Sequence, residues 1–164
     1  MNKKVLFTSQ AALIAALYVV LTIFINAFGL ANGTIQIRIS EALTVLPYFT
    51  PAAIPGITTG CFLSNLLTGC APLDIIFGTC ATLLGALGSY ALRRYKWLVP
   101  LPPIIANTII VPYVLRYAYD IPDAIPYLMA TVGAGEVISC YILGMFLLCS
   151  LSTFGKQLFK VKNN

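Results

Sequence analysis

Apolar positions in this chain come in long runs. No charged residue falls between Thr8 and Phe28, and runs with very few charges follow over Leu73–Leu92, Leu101–Tyr117 and Tyr127–Phe154. Each is long enough to cross roughly 30 Å of hydrocarbon as an α-helix. Two shorter apolar segments, Glu41–Thr50 and Gly56–Leu67, are divided by Pro51-Ala52-Ala53-Ile54-Pro55. Prolines at 47, 51 and 55 remove helix donors every four residues, so this pair is expected to be short, kinked or partly unwound. Broken helices at membrane depth are tolerated where they line a cavity. Counting both segments predicts an all-α protein with six transmembrane helices. The whole chain, 1–164, is then one transmembrane domain.

One stretch alternates. Ile35, Ile37 and Ile39 interleave with Gln36, Arg38 and Ser40, a period of two that predicts a short extended segment with one packed and one wet face. Glu41 then opens an apolar run, in a position that favours a helix N-terminus. The cluster Arg38, Ser40 and Glu41 is too polar to face lipid. It is either an ordinary loop whose two charges neutralise each other or the edge of a binding site.

Composition agrees with the pattern: 59% of residues are hydrophobic and only 9% charged, against about a quarter charged in a soluble domain. This predicts an integral membrane protein. Lys3 and Lys4 precede an apolar run too long for a signal peptide, so that run is expected to persist as a helix. The net charge of +5 reports topology rather than a nucleic-acid partner. With the N-terminus cytoplasmic and six spans, the inside segments hold Lys3, Lys4, Arg93, Arg94, Lys96, Lys156, Lys160 and Lys162, and the outside ones only Arg38 and Arg116. That asymmetry predicts both termini in the cytoplasm. It also puts Arg38, Glu41, Asp74 and the loop of Asp120 and Asp123 at the outer face.

Five cysteines without a C-x-x-C pair, and no histidine, argue against a metal site and leave the cysteines as small packing residues. An intramembrane enzyme would need a nucleophile and base or metal ligands at depth, and that set is missing. Glu136, in Gly133-Ala134-Gly135-Glu136, is the informative residue, because a carboxylate several turns into an apolar helix is costly without a cavity and a partner. It is either half of an ion pair with Arg38 or Arg116, or a carboxylate that binds a ligand. Asn107 and Asn65 are signals of the same kind, with bonding to a neighbouring helix as the simpler role. Asp74 fits a helix cap or a ligand contact. Phe77 and Tyr113 are candidates to stack on a ring, although aromatics in such spans commonly face lipid or core. Ala11, Ala12, Ala15 and Ala16 form a shallow groove on the first helix, suited to docking a partner helix or to packing within the chain.

These residues also carry a resemblance. The run Ile-Gln-Ile-Arg-Ile-Ser-Glu-Ala-Leu-Thr-Val-Leu-Pro-Tyr-Phe-Thr-Pro-Ala-Ala-Ile-Pro-Gly at 35–56 resembles the signature of the queuosine-precursor transporter (QueT) family. Asp-Ile-Ile-Phe-Gly-Thr at 74–79, Leu-Pro-Pro-Ile-Ile-Ala-Asn at 101–107 and Val-Gly-Ala-Gly-Glu at 132–136 resemble it too. The resemblance implies the substrate-capturing S component of an energy-coupling factor (ECF) transporter of the bacterial cytoplasmic membrane. Its ligand would be a 7-deazaguanine, and its partners a transmembrane coupling subunit and two ATPase subunits that use ATP and Mg2+. This chain itself would need no cofactor, and it has no phosphate-cradling glycine loop. The alanine face resembles the A-x-x-x-A patch by which S components dock, and toppling of the subunit in the membrane is the implied motion. Other vitamin and base transporters share the architecture, so an S component for a different vitamin or nucleobase stays open, as does a small oligomeric channel.

Overall fold

The first apolar run folds into one α-helix, α1 (Lys3–Ala27), whose start is capped by the Asn2 side chain accepting from the Lys4 amide at 3.2 Å. Only Ile14, Tyr18 and Ile25 along it are buried. Their spacing of four and seven marks a single narrow stripe. The remaining apolar surface is open, as it is for a helix whose other neighbour is lipid. The structure, a computed structural model, describes residues 2–29 and 38–158, with side chains described as far as Thr153.

Residues 35–37 of the alternating stretch lie outside the described residues. Arg38 is extended, and the chain then winds into a 3-10 helix, Ile39–Tyr48, where a strand end and an ordinary helix start were expected. Pro47 supplies no donor and disfavours helical dihedrals at Leu46, so the tighter winding is the available one. At about 2.0 Å per residue it stretches ten residues over roughly 20 Å, where an α-helix would cover about 15 Å. Every residue from Ser40 to Pro47 is buried, because this helix threads the middle of the bundle.

A turn at Pro51 leads to α2 (Ala53–Leu67), whose 15 residues cover only about 22 Å. It lies very close to α1. A Cβ added at Gly56 would sit 2.7 Å from the Ala11 carbonyl oxygen, and one at Gly60 would sit 2.7 Å from Cβ of Tyr18. Two helices α3 (Pro72–Ala91) and α4 (Leu101–Ala118) pair in the same way, with Pro103 against Gly85 and Pro102 against Gly88. The chain ends in one continuous rod: α5 (Ile125–Glu136), a π-helical segment Val137–Leu143, and α6 (Gly144–Leu158).

Among the described residues the protein is all-helical, with six α-helices and no strand. These six are not the six expected crossings. Four stretches are long and apolar enough to cross a membrane: Lys3–Ala27, Pro72–Ala91, Lys96–Ala118 and Ile125–Thr153. The other two expected crossings are the 3-10 helix and α2, both kept short by the prolines at 47, 51 and 55. The 3-10 helix packs internally: Leu43 and Leu46 meet Ile14, Tyr18, Ala53, Ile57 and Cys61, while Val45 meets Val99, Met145 and Leu148; α2 buries Ala53, Ile57 and Cys61 but leaves Phe62, Leu63, Leu66 and Leu67 exposed. All five cysteines are free thiols.

Candidate functional site

Where α1, α2 and α4 end and α3 begins, the bundle opens into a cavity of about 380 Å3, within the range of roughly 300–1,000 Å3 usual for small-molecule sites. Its polar lining includes Arg38, Ser40, Asn65, Asp74 and Tyr119. Asp74 sits in the first turn of α3 but does not cap it; Ala71 holds the cap position and the aspartate side chain turns inward. There its Oδ2 accepts from the Tyr119 hydroxyl at 2.9 Å and meets Arg38 Nη2 at 3.9 Å. Among the described residues its Oδ1 is buried without a hydrogen-bond partner. Burial works against the charge on Arg38, yet Asp74, Tyr18 and Glu41 raise its pKa above the ordinary arginine value, so it remains a cation.

Beneath the cavity lies a second, fully enclosed layer. Ser40, which lines the cavity, precedes Glu41, and Glu41 is only 1% exposed. The Tyr18 hydroxyl donates to Glu41 Oε1. Glu136 is brought alongside, so that its carboxylate, that of Glu41 and the Cys140 thiol all lie within 4.8 Å of one another. Cys140 Sγ is 3.1 Å from Glu136 Oε2 and 3.6 Å from the Glu41 carbonyl oxygen. Asn107, buried on α4, faces both carboxylates, and Thr82 faces Glu41. Two hard oxygens and a soft sulfur at this spacing can in principle bridge a cation. The π-helical turn makes the arrangement possible. Its extra residue lets Ser139 and Cys140 both point inward, and Ser139 Oγ accepts from the Arg38 amide at 3.2 Å, tying the extended residue to the terminal rod.

Six of the ligand candidates are therefore brought together: Arg38, Asn65 and Asp74 at the cavity, and Glu41, Asn107 and Glu136 beneath it. Glu136 makes no ion pair with either expected arginine. Arg38 pairs with Asp74, and Arg116 donates to the Ile121 carbonyl at 2.8 Å. Phe77 and Tyr113 are not at the site. They are 49% and 45% exposed and line a separate apolar groove between α3 and α4, on the outer surface. The alanines divide: Ala11 and Ala15 turn their backbones to Gly56 and Gly60 of α2, while Ala12 and Ala16 are exposed. Tyr18, Cys61, Thr82, Cys140 and Tyr119 were not anticipated at the site. Thr82 and Asn65 donate to Cys61 Sγ at 3.3 and 3.7 Å, so Cys61, which packs in the apolar core as expected, also meets the polar cluster, as Cys140 does. Only Cys140 carried a signal, standing one helical turn after Glu136.

Set against known proteins, residues 8–153 match the family model described as QueT transporter. Over 86 residues the chain is 37% identical to the "Queuosine precursor transporter QueT" of Lactococcus lactis subsp. cremoris (strain MG1363). That alignment covers 52% of this chain and 50% of the relative, so the chain spans about half the length of the curated relative it matches. No solved structure matches. The relative is a transporter, and the family model covers the 3-10 helix with Glu41, the end of α5 with Glu136 and the residues that line the cavity. The chain belongs to the QueT transporter family.

Proposed function

We propose that this chain is the substrate-capturing membrane subunit of an ECF-type importer, binding a queuosine precursor or related 7-deazaguanine for uptake. The observation that carries the reading is the stack of a 380 Å3 cavity on a buried layer holding Glu41, Glu136 and Asn107. A guanine-like ring presents adjacent N–H donors on its ring nitrogen and exocyclic amine, and one carboxylate accepts both in a planar pair. Glu136 takes that role and Asn107 the neighbouring ring position, once the ligand has passed Arg38 and Asp74. Desolvation makes such a pair selective, because a base lacking the donors leaves a buried charge unpaired.

The membrane arrangement follows from the same reading. The 3-10 helix and α2 complete six crossings, both ends lie in the cytoplasm as the lysines and arginines require, and the cavity opens outward. A coupling subunit docks on the exposed Ala12 and Ala16 of α1, and ATPase subunits drive the reorientation that releases the ligand inward. The test is a binding titration of the purified full chain with 7-deazaguanines, guanine, riboflavin and thiamine. Tight binding confined to the deazaguanines is expected. Binding of riboflavin or thiamine instead would assign another substrate, and ion conductance without ligand binding would point to a channel.

A further inference from the structure

Where α3 hands over to α4, at the opposite end of the bundle from the cavity, three cations fall within four residues: Arg93, Arg94 and Lys96. Among the described residues none of them meets a carboxylate. The five acidic side chains of the chain cannot supply one either. Glu41, Asp74 and Glu136 are buried at the site. Asp120 and Asp123 follow the far end of α4, whose 18 residues put them about 27 Å away, well beyond the screening length of about 8 Å in physiological salt. The segment is nevertheless held in a fixed shape. Arg93 lies over the Tyr90 ring at 4.2 Å, the Ser89 hydroxyl donates to the Val99 carbonyl at 2.7 Å, and Lys96 Nζ donates to Ser152 Oγ of α6 at 3.4 Å. Pro102 and Pro103 pack on Gly88 and Gly85 just beyond it. A fixed cationic turn with no counterion of its own draws an anion from outside the chain.

We propose that this turn is a binding site for an anionic phospholipid, whose phosphate is held by Arg93, Arg94 and Lys96. The flanking side chains favour a lipid over a soluble anion or an acidic protein surface. Tyr95 and Trp97 stand 63% and 64% exposed, and amphipathic rings of this kind sit at the headgroup level of a bilayer. Leu84 and Leu87 toward the end of α3, and Leu101 and Ile105 at the start of α4, are exposed as well. Apolar surface for acyl chains therefore begins within about two helical turns of the cations. The guanidinium fork suits phosphate oxygens, and Trp97, next in the chain, adds an indole N–H donor. A zwitterionic lipid offers the same phosphate but brings an ammonium, which the three cations repel. Such a site is independent of the ligand bound at the other end of the bundle, and of which side of the membrane the turn faces.

Trp97 is the single tryptophan of the chain, so its fluorescence reports which lipid lies against the turn. The purified full chain is reconstituted in phosphatidylcholine vesicles in which a minor fraction is replaced by brominated phosphatidylglycerol, or by brominated phosphatidylcholine with the same chains; bromine quenches the indole on contact. The anionic lipid is expected to compete for the ring at least about tenfold better than the zwitterionic one. Substituting Arg93→Gln, Arg94→Gln and Lys96→Gln together should bring that ratio to within about twofold. Lys3→Gln with Lys4→Gln, which removes charge from the start of α1, should leave it unchanged. Equal quenching by the two lipids in the parent overturns the proposal and reopens the turn to an acidic partner protein. A preference that survives the triple substitution overturns it too, as does an equal loss in both variants, which would mean diffuse attraction to a charged surface. Should the triple variant not fold, Arg94→Gln decides: its side chain is exposed and meets no partner among the described residues, and it should lower the ratio about threefold, no change counting against the site.

Discussion

Glu136 and Cys140 show what single residues disclosed and what they withheld. A carboxylate within an apolar run is conspicuous because its burial is costly, which is why Glu136, Asn107, Arg38, Glu41 and Asp74 could be named from sequence. Tyrosine, threonine and cysteine are tolerated almost anywhere in a membrane helix. Tyr18, Thr82 and Cys61 therefore gave no warning that they would meet the carboxylates, and Cys140 gave only its position one helical turn after Glu136. Phe77 was misplaced for a different reason: ring chemistry says nothing about helix phase, and it lies off the stripe Asp74, Gly78, Ala81, Gly85 that α3 buries. The prediction at this scale concerns Glu136→Gln, which places a donor against the donors of the ring. Losing a charge-assisted bond in a buried site costs about 1.5–3 kcal/mol. Affinity for deazaguanines, neutral and amine-bearing alike, should fall at least about tenfold by calorimetry. Unchanged affinity in a folded Glu136→Gln protein would remove Glu136 from ring recognition.

At the scale of elements, the prolines announced a break but not its form. Whether Glu41–Thr50 becomes a kinked α-helix or a 3-10 helix depends on the diameter of the space left by α1, α3 and α6, which is a tertiary quantity. The π-helical turn was equally hidden, since Val137–Leu143 carries neither proline nor glycine. The alanines of α1 were legible as a face, but which partner each one met was not. Two pairs of substitutions separate the roles. Ala11→Leu and Ala15→Leu push into the backbone contact with α2, and such overpacking costs about 1–3 kcal/mol; both should lower the thermal unfolding midpoint of the purified chain. Ala12→Leu and Ala16→Leu, on the exposed face, should leave that midpoint and ligand affinity nearly unchanged while weakening copurification with the coupling subunit. Loss of ligand binding in Ala12→Leu would mean that this face packs internally instead.

For the molecule as a whole, the distribution of lysine and arginine underlies the proposed orientation, which can be tested from outside the cell. In a background lacking reactive cysteines, an impermeant thiol reagent should label Asp123→Cys on intact cells and spare Lys96→Cys. Labelling of Lys96→Cys from outside would mean an even number of crossings between the two positions, where the six-span arrangement has one. The architecture has one further consequence, in the time order of synthesis. Glu41 lies 23 residues after Tyr18, but Cys140 follows Glu41 by 99 residues. At roughly 5–20 residues per second of translation, Glu41 waits about 5–20 s after it emerges before the terminal rod arrives to wall it in. During that interval α1, α2 and α3 supply the earlier walls around the 3-10 segment, and Glu41 still lacks the side of its cage that Glu136 and Cys140 bring. The layer of Glu41, Glu136 and Cys140 is therefore completed late in synthesis, and a chain truncated before Glu136 would insert its early helices yet leave that layer unfinished.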